Sequence, residues 1–291
     1  MFKGVYTAII TPFNEDGSVD EESLKNLVEF QIENGISGLV PCGTTGESPT
    51  LSHEEHNHVV DLVVKFAAGR VPVIAGTGSN STKEAIAMTR HAKESGADAS
   101  LQVAPYYNKP TQEGFYRHFT AIADAVDIPL IIYNIPGRTG SNIETSTMIR
   151  LSAHKNIVAV KEASGSLPQM MDVISQKPEG FDVLSGDDNL TLPLISAGGV
   201  GVISVASNII PKEMSEFVAL ANEGNFEEAR KLHYKLLPLF KAIFIETNPI
   251  PIKSALSMKG LCKEIYRLPL CEMKPENKEK LRKVLKENGV L

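Results

Sequence analysis

The chain has 291 residues, enough for one large domain or two ordinary ones. Apolar residues make up 42% and charged residues 22%, which excludes wholesale disorder and fibrous classes. Lysine and arginine number 29 against 35 aspartates and glutamates. The net charge of −6 lacks the basic excess that phosphate-backbone binding needs, so no nucleic acid partner is expected.

The cysteines, Cys42, Cys262 and Cys271, are odd in number and form no C-x-x-C pair. A disulfide framework and a thiolate zinc site are both disfavoured. Residues 1–6 lack the basic start and apolar stretch of a signal peptide, and no apolar run approaches the roughly 18 residues of a membrane span. The expectation is a cytoplasmic protein with no membrane partner.

Short β-rich runs recur at residues 5–10, 38–41, 71–75, 100–104, 130–133, 157–160, 182–184 and 200–205. Their first residues are separated by 33, 33, 29, 30, 27, 25 and 18 positions, each step fitting one βα unit. The runs are continuous rather than alternating, as strands buried on both faces should be. Asp20 predicts an N-cap before Leu24, Leu27 and Val28, and Ser52 with Glu55 predicts a capping box. Thr82 or Ser81 opens a third helix, and residues 113–126 supply a fourth.

Eight βα units predict a (β/α)8 barrel over residues 1–224. A doubly wound sheet would carry a G-x-G-x-x-G turn, but Ser81 stands at the third glycine position after Gly76 and Gly78. From residue 225 to 291 the pattern is helical only, with helices expected at 226–244, 251–259 and 275–288. That C-terminal region suits packing on the barrel wall or a subunit contact.

Barrel active sites lie at the C-terminal ends of the strands. Lys161 ends the apolar run of the sixth strand and should enter the barrel mouth. An ammonium there is costly unless it is paired or gives up its proton, and a neutral lysine is a nucleophile toward carbonyls. The competing arrangement is a structural ion pair with Glu162. Gly43-Thr44-Thr45-Gly46-Glu47 follows the second strand and offers two hydroxyls and a nest of backbone N–H groups suited to a small carboxylate or phosphate. Tyr133 ends the neighbouring fifth strand, and Arg138 could clamp a carboxylate just beyond it.

Two clusters point elsewhere. His53, His56 and His58 lack the i,i+4 spacing of H-E-x-x-H, and Asp187-Asp188 has no matching third carboxylate, so no metal is expected and the aspartates read as turn residues.

The ordered set of motifs resembles the dihydrodipicolinate synthase family of the pyruvate-dependent class I aldolases. It runs from Thr7-Ala8-Ile9-Ile10-Thr11-Pro12-Phe13 through the 43–47 loop and Tyr133-Asn134-Ile135-Pro136-Gly137-Arg138-Thr139-Gly140. It continues through Val160-Lys161-Glu162-Ala163-Ser164-Gly165, Ser185-Gly186-Asp187-Asp188 and Asn248-Pro249-Ile250-Pro251-Ile252-Lys253. The resemblance implies condensation of pyruvate with L-aspartate 4-semialdehyde through a Lys161 Schiff base, with no cofactor. Tyr133 would move protons, linked through Thr44 to Tyr107 of an adjacent subunit. Thr45 would hold pyruvate's carboxylate and Arg138 that of the semialdehyde, with carbonyls of Gly186 and Ile203 lining the pocket. A homotetramer built as a dimer of dimers is implied.

N-acetylneuraminate lyases and sugar-acid aldolases share the lysine, the tyrosine and the loop, but Arg138 and the Thr44-Thr45 pair favour the synthase. A non-catalytic keto-acid sensor would not need these residues together. Ser48, His53, His56, Asn80, Glu84 and Tyr106 match positions that bind inhibitory L-lysine in regulated members. His53 with His56, and Asn80 with Glu84, are each expected on one helix face.

Overall fold

Eight short parallel strands carry the architecture: β1 (Gly4–Ala8), β2 (Gly38–Val40), β3 (Ile74–Gly76), β4 (Ala99–Val103), β5 (Leu130–Asn134), β6 (Ile157–Glu162), β7 (Asp182–Ser185) and β8 (Gly201–Ser204). The structure, a computed structural model, describes residues 2–291. Strand order is β2-β1-β8-β7-β6-β5-β4-β3, and a parallel bridge between Leu39 and Val73 brings the two ends together. The (β/α)8 barrel expected from the strand spacing is therefore the observed fold.

Its wall is built by α1 (Glu21–Glu33), α2 (His53–Ala67), α3 (Thr82–Glu94), α4 (Gln112–Ala125), α5 (Pro136–Thr139), α6 (Thr145–Ser152), α7 (Leu167–Gln176), α8 (Thr191–Ser196) and α9 (Pro211–Asn222). Three further helices follow: α10 (Phe226–Ala242), α11 (Ile250–Met258) and α12 (Pro275–Glu287). Local chemistry sets the starts. Asp20 Oδ1 accepts from Ser23 N at 3.0 Å, Ser52 and Glu55 close a capping box, and Ser81 caps α3.

Strand ends differ from the apolar runs for identifiable reasons. Pro72 has no N–H to donate, and Val73 makes only an isolated bridge, so β3 begins at Ile74 rather than at 71. β1 ends at Ala8 because Ile10 N turns to Asn208 Oδ1 at 3.2 Å instead of continuing the ladder.

Tyr6, Val40, Leu101, Ile131, Leu184 and Ile203 fill the barrel interior. A larger cluster runs from Ile9, Leu39 and Val202 into Leu236 of α10, Ile252 of α11 and Leu281 of α12, so the last helices share a core with the β1, β2 and β8 side of the barrel. Among the described residues, no helix is long and apolar enough to cross a membrane.

Candidate active site

Strand alternation decides which residues of β6 reach the barrel interior. Ala159 and Lys161 point inward, and Glu162 points to the outer layer. There Glu162 accepts from Asn134 Nδ2 at 3.2 Å, Ser164 N at 2.8 Å and Gln169 Nε2 at 3.4 Å, and burial pushes its carboxyl above the usual range. The structural ion pair with Lys161 is thereby overturned, because the two side chains leave the strand on opposite faces.

Lys161 is 5% exposed, and its Nζ lies 4.1 Å from the ring centroid of Tyr133, its register partner on β5. Among the described residues it has no hydrogen bond or ion pair, although Asp187 is near enough for Lys161 to pull down a carboxyl that burial raises. Gly186 leaves the space this lysine occupies: a Cβ there would stand 2.5 Å from Ala163 Cβ and 3.1 Å from Lys161 Cε.

The 43–47 loop after β2 forms the facing wall. Thr45 is buried, and its hydroxyl accepts from Asn248 Nδ2 at 3.0 Å, which leaves the hydroxyl proton for another acceptor. Among the described residues no acceptor meets the backbone N–H groups of Thr44, Thr45 or Gly46. Unpaired amides of this kind suit the small carboxylate or phosphate expected at the loop. Arg138, on α5, donates from Nη2 to the Asn248 carbonyl at 3.0 Å.

Thr44, Thr45, Tyr133, Arg138, Lys161 and Gly186 line one inner cavity at the barrel mouth. Thr44, Tyr133 and Arg138 also border an outer cleft of about 360 Å³, which continues past Ser48, His53, His56, Glu84 and Tyr106. An enclosed amine, a phenol, unpaired amides and a guanidinium thus converge on one space. The set suits imine formation with a carbonyl compound that carries a carboxylate.

A family model described as the Dihydrodipicolinate synthetase family matches residues 1–288. The chain belongs to that family. It is 58% identical over 287 residues to the 4-hydroxy-tetrahydrodipicolinate synthase of Citrifermentans bemidjiense, covering 99% of each chain. It is similar to the chloride-inhibited dihydrodipicolinate synthase of Acinetobacter baumannii crystallised with pyruvate, at 47% identity and TM-score 0.98 over 100% of both chains. A third relative, the enzyme of Cyanidioschyzon merolae with lysine bound, is 44% identical with TM-score 0.97, covering 100% of this chain and 99% of that one.

Not every residue matched to dihydrodipicolinate synthetase roles meets in this single chain. Tyr107 is 91% exposed with φ +71° and lines neither space. Ile203 is fully buried in the barrel interior, and Val205 rather than Ile203 borders the inner cavity. Asn80 precedes the α3 cap, so it shares no helix face with Glu84; its Nδ2 donates to the Tyr106 carbonyl at 3.3 Å. Glu84 accepts from Ser79 Oγ at 2.8 Å. His56 donates from Nε2 to Gly76 O at 2.7 Å, and burial pushes its pKa down. Asp188 accepts from Val205 N and Ala206 N at 3.2 and 2.9 Å, so its side chain ties the end of β7 to the segment after β8 rather than serving its own turn.

Asn248 is the residue that reading the sequence misses. It borders the inner cavity and touches both carboxylate-binding candidates, yet its motif offered only a polar residue before a helix.

Proposed function

We infer that the chain condenses pyruvate with L-aspartate 4-semialdehyde to 4-hydroxy-tetrahydrodipicolinate, the reaction of the synthases it matches over its full length. The observation that carries the chemistry is Lys161 Nζ, enclosed at the end of β6 with no ion-pair partner among the described residues. On this reading Nζ attacks the ketone carbon of pyruvate, and water leaves to give an imine. Loss of a methyl proton gives an enamine, whose carbon adds to the aldehyde, and the oxygen formed takes up a proton. The amine of the second substrate then attacks the imine carbon, Nζ departs, and the ring closes. The sequence requires no metal or organic cofactor.

Tyr133 receives and returns the protons in this account, being the group stacked against Nζ. A phenol exchanges protons poorly at neutral pH unless hydroxyls link it to bulk water. Thr44 and Tyr107 supply that link, Tyr107 from a second copy of the chain, and its exposure supports such a contact. A dimer is therefore the smallest complete unit, with two dimers forming a tetramer. Thr45 and the loop amides hold pyruvate's carboxylate, and Arg138 that of the semialdehyde, while Gly186 lines the pocket and Val205 takes the bordering place that the resemblance gave to Ile203. Residues 1–224 form the catalytic barrel and 225–291 a helical region that supplies Asn248. A cytoplasmic setting fits a biosynthetic enzyme of this kind.

L-lysine is the proposed inhibitor of the outer cleft. Support comes from Ser48, His53, His56, Glu84 and Tyr106 lining it, and from the lysine-bound relative. Asn80 contributes at its edge through the Tyr106 backbone. Unchanged initial rates in millimolar L-lysine would remove this regulatory role.

The deciding experiment follows pyruvate consumption with the semialdehyde beside N-acetylmannosamine and glyceraldehyde. Turnover only with the semialdehyde, lost in Arg138→Leu, supports the synthase. Turnover only with a sugar aldehyde keeps the Lys161 chemistry and replaces the substrate assignment with that of a sugar-acid or N-acetylneuraminate lyase.

A further inference from the structure

Among the described residues, one ion pair has both side chains fully buried, and it lies outside both cavities. Glu47 and Lys253 form an ion pair in which each side chain is 0% exposed, and neither borders either cavity. Lys253 Nζ also donates to the Ile265 carbonyl at 3.1 Å and lies 4.3 Å from the ring centroid of Phe13 and 5.5 Å from that of Tyr266. Glu47 Oε2, by contrast, is buried with no hydrogen-bond partner among the described residues. A pair so placed is a poor stabiliser, since its desolvation cost rivals its attraction, and matched apolar residues would serve stability as well. What an ion pair adds is a fixed distance and register between the elements it joins.

Those elements are the 43–47 loop, which lines the site, and α11, which is preceded by Asn248 at the site's border. Glu47 ends the 43–47 loop in a left-handed conformation, φ +56°, two residues beyond Thr45. Lys253 belongs to α11, five residues beyond Asn248. Asn248 in turn donates to Thr45 Oγ1 and accepts from Arg138. Other tethers converge on the same junction. Thr11 Oγ1 donates to the Gly46 carbonyl at 2.7 Å, and Arg267 donates to Gly17 and Thr50 carbonyls while pairing with Glu55.

We propose that Glu47 and Lys253 are positioning residues: their buried pair locks α11 to the 43–47 loop and thereby holds Asn248 where it sets the Thr45 hydroxyl and the Arg138 guanidinium for substrate. The proposal rests on Thr45 and Arg138 taking the two substrate carboxylates. Through this pair the C-terminal helical region becomes part of the recognition apparatus although it contributes no group to the reaction.

The test compares Glu47→Gln/Lys253→Met with the parent, because removing both charges avoids leaving one stranded in the core. Melting temperature, borohydride trapping of pyruvate, and KM and kcat for each substrate are measured. The expected result is a folded protein that still forms the pyruvate adduct, with both KM values raised about tenfold, the worth of one well-aligned hydrogen bond. Adding Asn248→Ala to the parent, which removes the Thr45 bond and keeps the carbonyl that Arg138 meets, raises the KM for pyruvate similarly, and adding it to the double variant raises that KM little further. Glu47→Asp keeps both charges but shortens the reach by one methylene, so it covers the case in which the double variant does not fold. A raised KM with a parental melting temperature is expected of it.

Parental KM values in a folded double variant, or in Glu47→Asp, overturn the positioning role. Thr45→Val separates this failure from failure of the site assignment. If Thr45→Val leaves the KM for pyruvate unchanged, Thr45 does not hold the carboxylate, and the proposal falls with that assignment. If Thr45→Val raises KM while the pair variants do not, the assignment stands and only the pair's role is lost.

Discussion

Tyr133 and Lys161 are direct register partners on adjacent parallel strands, and the lysine nitrogen sits 4.1 Å from the centre of the phenol ring. Adjacent strands of a barrel diverge toward different loops, so two inward residues at one level are held by the ladder rather than by flexible turns. The proposed nucleophile and its proposed proton carrier are therefore held by paired strands rather than by loops.

The first expectation concerns that nucleophile. Lys161→Ala should reduce turnover by ~10³-fold or more, because every later step passes through the amine. Pyruvate followed by borohydride should add mass to one peptide, the one containing Lys161, and to none in the variant. Labelling of a different lysine would dismiss the mechanism.

Gly186 gives a second, independent handle. Its missing Cβ is the space beside Lys161 Cε, and the neighbouring Ala163 Cβ cannot move without disturbing the strand end. Gly186→Ala should cost about 1–3 kcal/mol of stability through overpacking. The rate of borohydride trapping should fall as well, since the lysine must tilt away. A destabilised variant that traps pyruvate at the parental rate would show that the glycine serves packing alone.

Much of this site was legible because the signals are local. Lys161 stands at the end of a continuous apolar strand, Ser52 with Glu55 is a self-contained cap, and the loop glycines and threonines are contiguous. Asn248 was not legible. Its partner Thr45 is 203 residues away, and only the closed barrel and the packing of α11 bring them together. Asn80 was misplaced for the opposite reason: its i,i+4 spacing to Glu84 spans a helix start, so periodicity was applied across the cap at Ser81. The start of β3 moved because a proline removes a ladder donor that a hydropathy pattern does not count.

The third expectation turns on Tyr107. In a single chain its ring is almost wholly in solvent, so any role in proton transfer requires a second copy. Tyr107→Phe should slow turnover by about 10²–10⁴-fold, the usual worth of an acid–base group, while pyruvate trapping persists. Mixing inactive Tyr107→Phe with inactive Lys161→Ala, then unfolding and refolding them together, should restore part of the activity. Mixed dimers would contain one site with Lys161 from one chain and Tyr107 from the other. No recovery from a mixture shown to contain mixed dimers would place Tyr107 outside the relay.

The fourth concerns His118 and acid stability. On α4 it is 7% exposed, its Nδ1 shares a 2.8 Å hydrogen bond with the Thr82 hydroxyl of α3, and its Nε2 is buried with no partner among the described residues. Burial pushes its pKa down from 6.5 to about 4. The unfolded chain therefore takes up a proton near pH 6.5, while the folded protein resists until about pH 4. Stability from this residue is complete above that window and is lost as pH falls through it, by up to about 1.4 kcal/mol per unit of difference. Glu162 and Asp188, whose carboxyls burial pushes up, act in the opposite sense, so the informative quantity is the difference between proteins. Urea unfolding of the parent and His118→Gln from about pH 7.5 down to about pH 4.5 should show the two stabilities converging as the solution becomes acidic. Parallel stability curves across that range would mean that His118 exchanges its proton equally well in the folded and unfolded chain.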